Sequence, residues 1–82
     1  MTIRDLIHRE NETSLGLSMN DRLEEMKEQK EYLKEHPYSD SAKEWYLQEK
    51  NMLLGMICAS LCLKVITDIE FLEICEDIRK NY

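Results

Sequence analysis

Three cysteines and two histidines are the side chains best suited to metal or nucleophilic chemistry in this 82-residue sequence. Cys58 and Cys62 stand four apart, so one helix face carries both, and Cys75 follows on a later segment. Joined to His8 or His36, these thiols could make a zinc site. Zinc ligands usually come in closer pairs, however, and these cysteines lie in the most apolar stretch of the chain. Free cysteine is among the most buried residue types, so we expect core thiols and no metal. His8, with Glu12 one turn on, and His36, before Pro37, could each serve as a general base. No recognisable motif places a nucleophile beside either. A Gly-rich phosphate loop, an H-E-x-x-H helix and a C-x-x-C pair are all missing. The expectation is a non-enzymatic protein without a cofactor.

Carboxylates make the most specific surface pattern. Glu24, Glu28, Glu31 and Glu35 repeat at four-three-four spacing and so form one stripe along a helix, bordered by Asp21 and Glu25. A second acidic group, Glu70, Glu73, Glu76 and Asp77, follows near the end of the chain. Carboxylates one helical turn apart are about 5–6 Å from each other, a spacing similar to phosphates along a nucleic-acid strand. One reading is mimicry: an acidic inhibitor that fills the basic groove of a nucleic-acid-binding protein, as an anti-CRISPR-like phage counter-defence protein would. The simpler reading is a solvated helix face, with Lys27–Glu31 and Glu31–Lys34 pairs adding a few tenths of a kcal/mol each.

Four helical segments position these groups. The first spans about 3–11, with Thr2 and Asp5 in capping-box spacing and Ile3, Leu6 and Ile7 on one face. A connector over 12–17 contains Gly16, which supplies the freedom of a turn. The second spans about 19–35, opened by Ser18 with Asp21 three residues on. Its seam is Met19, Leu23, Met26 and Leu33, interrupted by Lys30, and Pro37 ends it. The third spans about 42–64 from an S-x-x-E box at Ser41 and Glu44, roughly 24 residues and about 36 Å long. From Met52 to Ile66 it is apolar on nearly every side, so we expect it to be enclosed as the central rod of the bundle. The fourth spans about 68–80. Thr67 and Glu70 form its capping box, Ile66 and Phe71 its hydrophobic staple, and Phe71, Leu72, Ile74, Cys75 and Ile78 its buried stripe. The fold class is therefore all-α, a small antiparallel bundle of three strong helices plus a weaker N-terminal one.

Gly55 and Ala59 form a small-x-x-x-small pair inside the third helix. Mid-helix glycine costs about 1 kcal/mol relative to alanine, and a close helix crossing explains its use, either within the bundle or across a two-fold axis. Trp45, Tyr46 and Tyr38 gather near the start of the same helix; Trp45 is expected in the core and Tyr46 exposed as a binding or dimer contact.

Composition narrows the partners. A net charge of −6 and a pI near 4.9 argue against unaided binding to nucleic acid or anionic membranes. Two Gly and one Pro supply too few tight turns for an all-β fold. The longest uncharged run, 51–63, falls short of the roughly 20 residues that cross a bilayer. No apolar leader is present at the N-terminus and the cysteine count is odd, so the expectation is a reduced, cytoplasmic protein. Modest stability in so small a chain favours a protein partner, the chain itself included.

The run Leu63-Lys64-Val65-Ile66-Thr67-Asp68-Ile69-Glu70-Phe71-Leu72-Glu73-Ile74, with Ile78 beyond, resembles the C-terminal helical hairpins called SHOCT domains. It is also similar to small proteins carried by conjugative transposons and phages of Gram-positive bacteria. These share a helix, a turn reading roughly Gly-x-Ile-Thr, then Glu-Phe or Glu-Tyr opening a second helix; here Lys64 or Val65 stands where the glycine is usual. Across about twenty to thirty residues, the resemblance implies an interaction or oligomerisation role for an accessory or regulatory protein of a mobile element, without enzymatic activity.

Overall fold

The computed structural model describes all 82 residues and contains four helices and no strand: α1 (Ile3–Arg9), α2 (Ser14–Glu35), α3 (Asp40–Cys62) and α4 (Asp68–Asn81). The expected all-α bundle is what forms.

Hydroxyl caps set all four helix starts and one left-handed residue sets a helix end. The Thr2 Oγ1 accepts from the Asp5 N–H at 3.1 Å while Asp5 accepts from the Thr2 N–H at 2.9 Å, the expected reciprocal box. Thr67 and Glu70 do the same at 3.2 and 3.0 Å ahead of α4. Two other caps differ from expectation. Thr13, not Ser18, opens α2: its Oγ1 accepts from the Gly16 N–H at 3.0 Å and donates to the Glu10 carbonyl at 2.9 Å. The segment expected as a connector is therefore the first turn of a longer helix. Ser39, not Ser41, opens α3, with its hydroxyl accepting from Ala42 at 3.3 Å.

Gly16 is buried within α2, and its role is proximity rather than turning. A Cβ there would fall 1.9 Å from the Glu10 carbonyl oxygen, so only glycine lets the end of α1 lie against α2. At the end of α3, Lys64 takes φ 61°. Its N–H donates to Leu61 at 3.0 Å and the Val65 N–H donates to Ser60 at 2.9 Å, which satisfies two carbonyls of the last turn. Lys64 thus takes the left-handed conformation that glycine adopts most readily.

The two long helices form an antiparallel hairpin around Pro37, of 22 and 23 residues, and set the 39 Å long axis of the molecule. The shorter α1 and α4 run antiparallel to each other and close the half of the hairpin away from Pro37. Asp77 accepts from the Ile3 N–H at 3.0 Å, and Arg9 reaches Glu70 at 3.2 Å and the Val65 carbonyl at 3.3 Å. The core lies between all four helices: Ile3, Leu6 and Ile7; Met19, Leu23 and Met26; Leu53 and Ile57; Ile66; Ile74 and Ile78.

The largest departure from expectation is α3. Its inward line runs Ala42, Glu49, Leu53, Ile57 and Ser60, against α2. The opposite side is not enclosed: Met52, Gly55, Cys58, Ala59, Cys62 and Leu63 are all exposed. Three other helices cannot surround a 23-residue rod when two of them are short and sit toward one side. Leu72, expected in the α4 stripe, points outward as well, whereas Ile74 and Ile78 are buried and Phe71 and Cys75 half-buried.

Candidate functional site

Helical spacing collects the exposed residues of α3 into one outward face. Trp45, Met52, Ala59 and Leu63 follow one edge at intervals of seven, seven and four, and Gly55, Cys58 and Cys62 follow beside them. On α4, Leu72 projects outward one turn before the half-buried Cys75. The large side chains are widely open to solvent: Trp45 52 %, Met52 41 %, Leu63 69 % and Leu72 67 %. No charged residue occurs between Asn51 and Leu63. Single exposed apolar residues are ordinary on a protein surface, but a contiguous set of them is characteristic of interaction sites.

Gly55 sits in the middle of this face, and nothing lies within 4 Å of where its Cβ would be. A close crossing inside the bundle is thereby excluded as the reason for this glycine. The cysteines also differ from expectation. Cys58 and Cys62 are exposed on the face and Cys75 is half-buried, all three as free thiols. Burial, with a smaller contribution from neighbouring Cys58, pushes the Cys75 thiol up from its ordinary value. No group of three or more His, Cys, Asp or Glu side chains is arranged to hold a metal ion.

Trp45 and Tyr46 exchange their expected places. Trp45 stands at the rim of a shallow depression shared with Gln29, Tyr32, Ser41 and Ala42. Tyr46 packs against the core, and its hydroxyl donates to the Tyr82 carbonyl oxygen, with Lys50 Nζ 5.7 Å from its ring centre. One helical step separates the two, and α4 reaches back only on the Tyr46 side. His36 stacks on Tyr32 with ring centres 4.2 Å apart, and His8 is exposed on α1.

The acidic stripe is where its spacing predicts, with Glu24, Glu28, Glu31 and Glu35 all exposed along α2. Half of it is neutralised. Glu24 meets Arg4 at 2.8 Å and Glu31 meets Lys34 at 3.0 Å; the expected Lys27–Glu31 pair is not formed, and Glu28 and Glu35 have no ionic partner. The hydrogen bond from Arg4 lowers the Glu24 carboxyl below its usual range. The α4 carboxylates are committed to the fold: Glu70 to Thr67 and Arg9, Asp77 to Ile3 and Asn81, Glu73 to the Met1 ammonium at 3.2 Å, and Glu76 to Arg79 and Lys80. Hydrogen bonding from Arg79 takes the Glu76 carboxyl down to about 2.

One functional-looking pair escaped the sequence reading. Glu49 is buried on the α2-facing side of α3, with Arg22 Nη1 at 3.2 Å from Oε1 and 2.9 Å from Oε2. Only the Oε1 contact has hydrogen-bond geometry, which leaves Oε2 with an ionic neighbour but no donor aligned to it. The signal was available: Ala42, Tyr46, Glu49 and Leu53 continue one four-three-four seam, and a carboxylate on a seam requires a cation from the facing helix.

Compared with protein-family models, with curated proteins and with solved structures, the chain matches none. No helix is long and apolar enough to cross a membrane. Fold and surface together define a four-helix bundle with one uncovered apolar helix face.

Proposed function

We propose that this protein is a non-enzymatic protein-interaction module whose working surface is the outward face of α3 with Leu72 of α4. One observation carries the reading: an uncharged helix face with large and small apolar residues lies open in a chain of net charge −6. Apolar side chains at a solvated surface contribute little to folding, yet each contributes about 1.5–3 kcal/mol when a partner covers it fully. An accessory or regulatory role in a mobile element fits such a module and rests on the resemblance of residues 63–74 alone.

A second reading retains the acidic stripe, because Glu28 and Glu35 face solvent without a cation. In that reading the protein inhibits a nucleic-acid-binding protein by occupying its basic groove.

Affinity capture from the source organism, run in parallel with three baits, separates the two. The apolar reading expects Ala59→Glu to lose the partner and the Glu28→Lys/Glu31→Lys variant to keep it, with retention in high salt. Loss on charge reversal, and elution by salt, would instead assign the function to α2.

A further inference from the structure

We infer that the occupant of the outward α3 face is a second copy of this chain, paired about a two-fold axis with α3 crossing α3 at Gly55 and Ala59. This deepens the interaction reading above and depends on it. Three observations point to self-pairing. Gly55 has open space where a Cβ would stand, so the close approach that justifies a mid-helix glycine must come from outside the chain. The face is self-complementary: a shallow track of Gly55, Ala59 and Cys62 is flanked by the larger Met52, Leu63 and Leu72. In an antiparallel pairing that sets Gly55 opposite Ala59, Met52 of each copy lies opposite Cys62 of the other, and the same contact occurs twice.

Area and charge agree with that partner. At the exposures of its large side chains, the face presents several hundred Å² of apolar surface, within the range of the largest patch on a lone chain and a substantial part of the roughly 800 Å² per partner of a standard interface. Two chains of charge −6 repel as wholes, but the carboxylates of the stripe lie on α2, and Glu70, Glu73, Glu76 and Asp77 of α4 are paired internally. Between Asn51 and Leu63 the α3 face is uncharged, so two copies crossing at Gly55 and Ala59 oppose no carboxylates there. The monomer also buries only 15 of its 82 residues, and covering α3 extends a core that is thin for a free-standing domain.

Sedimentation from about 1 to about 500 µM, a range that brackets ordinary homodimer affinities, tests the inference. The expected mass rises from the 9.8 kDa of one chain to twice that. Alkylation of Cys58 and Cys62 slows in step with the mass. Ala59→Glu holds the mass at one chain with unchanged helical circular dichroism, and Tyr38→Glu, an exposed position at the α2–α3 turn, leaves the doubling intact. A single-chain mass throughout, with thiol rates independent of concentration, overturns the dimer. In that event an octyl matrix distinguishes the two levels of the argument: retention lost in Ala59→Glu keeps an interaction face for another protein, and no retention of the wild type removes the face as well.

Discussion

Two glycines, both inside helices, divide this molecule into a finished side and an open one. Around Gly16 the chain has closed on itself, with the Glu10 carbonyl so near that a single added carbon has no room. Around Gly55 the same residue type meets only solvent. Each carries the same conformational cost in its helix, but only Gly16 has an intramolecular reason for it. Helix composition alone cannot distinguish the two, because the reason lies in what is packed alongside.

The contrast is broken most directly by adding that carbon at both sites. Gly16→Ala should destabilise the fold by about 3 kcal/mol, since the clash is with backbone and α1 must shift away; urea unfolding measures it. Gly55→Ala, placed in the non-associating Ala59→Glu background, should stabilise by about 1 kcal/mol through helix propensity alone. Equal effects at the two positions would dissolve the distinction.

Next in size is the inward side of α3. Arg22→Ala leaves the Glu49 carboxylate buried without a cation and should cost about 2 kcal/mol, below the full range for a buried pair because Arg22 is partly open to water. Replacing both residues, Arg22→Met with Glu49→Leu, should recover most of that loss, as read from paired unfolding curves. The outward side holds no such pair, and Leu72→Ala should change monomer stability by less than about 0.5 kcal/mol.

Local signals along the chain made the helices and two of the caps legible. Thr2 with Asp5 and Thr67 with Glu70 are isolated hydroxyl–carboxylate pairs with no competitor nearby. Where candidates crowd together, as with Thr13, Ser14 and Ser18 or with Ser39 and Ser41, the choice depends on where the chain leaves the preceding turn, and spacing misplaces the start by two to five residues. The buried side of α2 was legible because polar and apolar residues alternate around it. From Met52 onward α3 has no such contrast, so its period could not say which side is covered, and an enclosed rod was the wrong inference. Glu49 was overlooked because its partner is 27 positions away on another helix. The α3–α4 turn joins the two faces, and there Lys64 holds a left-handed conformation that glycine adopts without strain. Lys64→Gly should relieve the left-handed strain and stabilise the fold by about 0.5–1 kcal/mol, the gain being trimmed by glycine's larger unfolded-state freedom; the thermal midpoint reports it.

The smallest expected effect is acid dependence, and it should fall on the closed side alone. Backbone and side-chain hydrogen bonds from Thr2 lower the Asp5 carboxyl, the Arg4 hydrogen bond lowers Glu24, and the Thr67 backbone together with Arg9 lowers Glu70. A carboxylate held below its ordinary value stabilises the folded chain above that value and loses the contribution as pH falls through the folded one. With ordinary values of 3.8 for Asp5 and 4.5 for Glu24 and Glu70, the thermal midpoint should be level near neutrality and begin to fall below about pH 5. Glu70→Gln should shallow the decline, because it removes the group that both caps α4 and ties it to Arg9 of α1. Residues 51–63 of the α3 face contain no carboxylate, so the association constant measured at pH 5 should equal or exceed that at pH 7, as repulsion between the two acidic chains begins to fade. A dimer that instead dissociated as the carboxylates first protonate would place charged groups at the interface and move it away from Gly55.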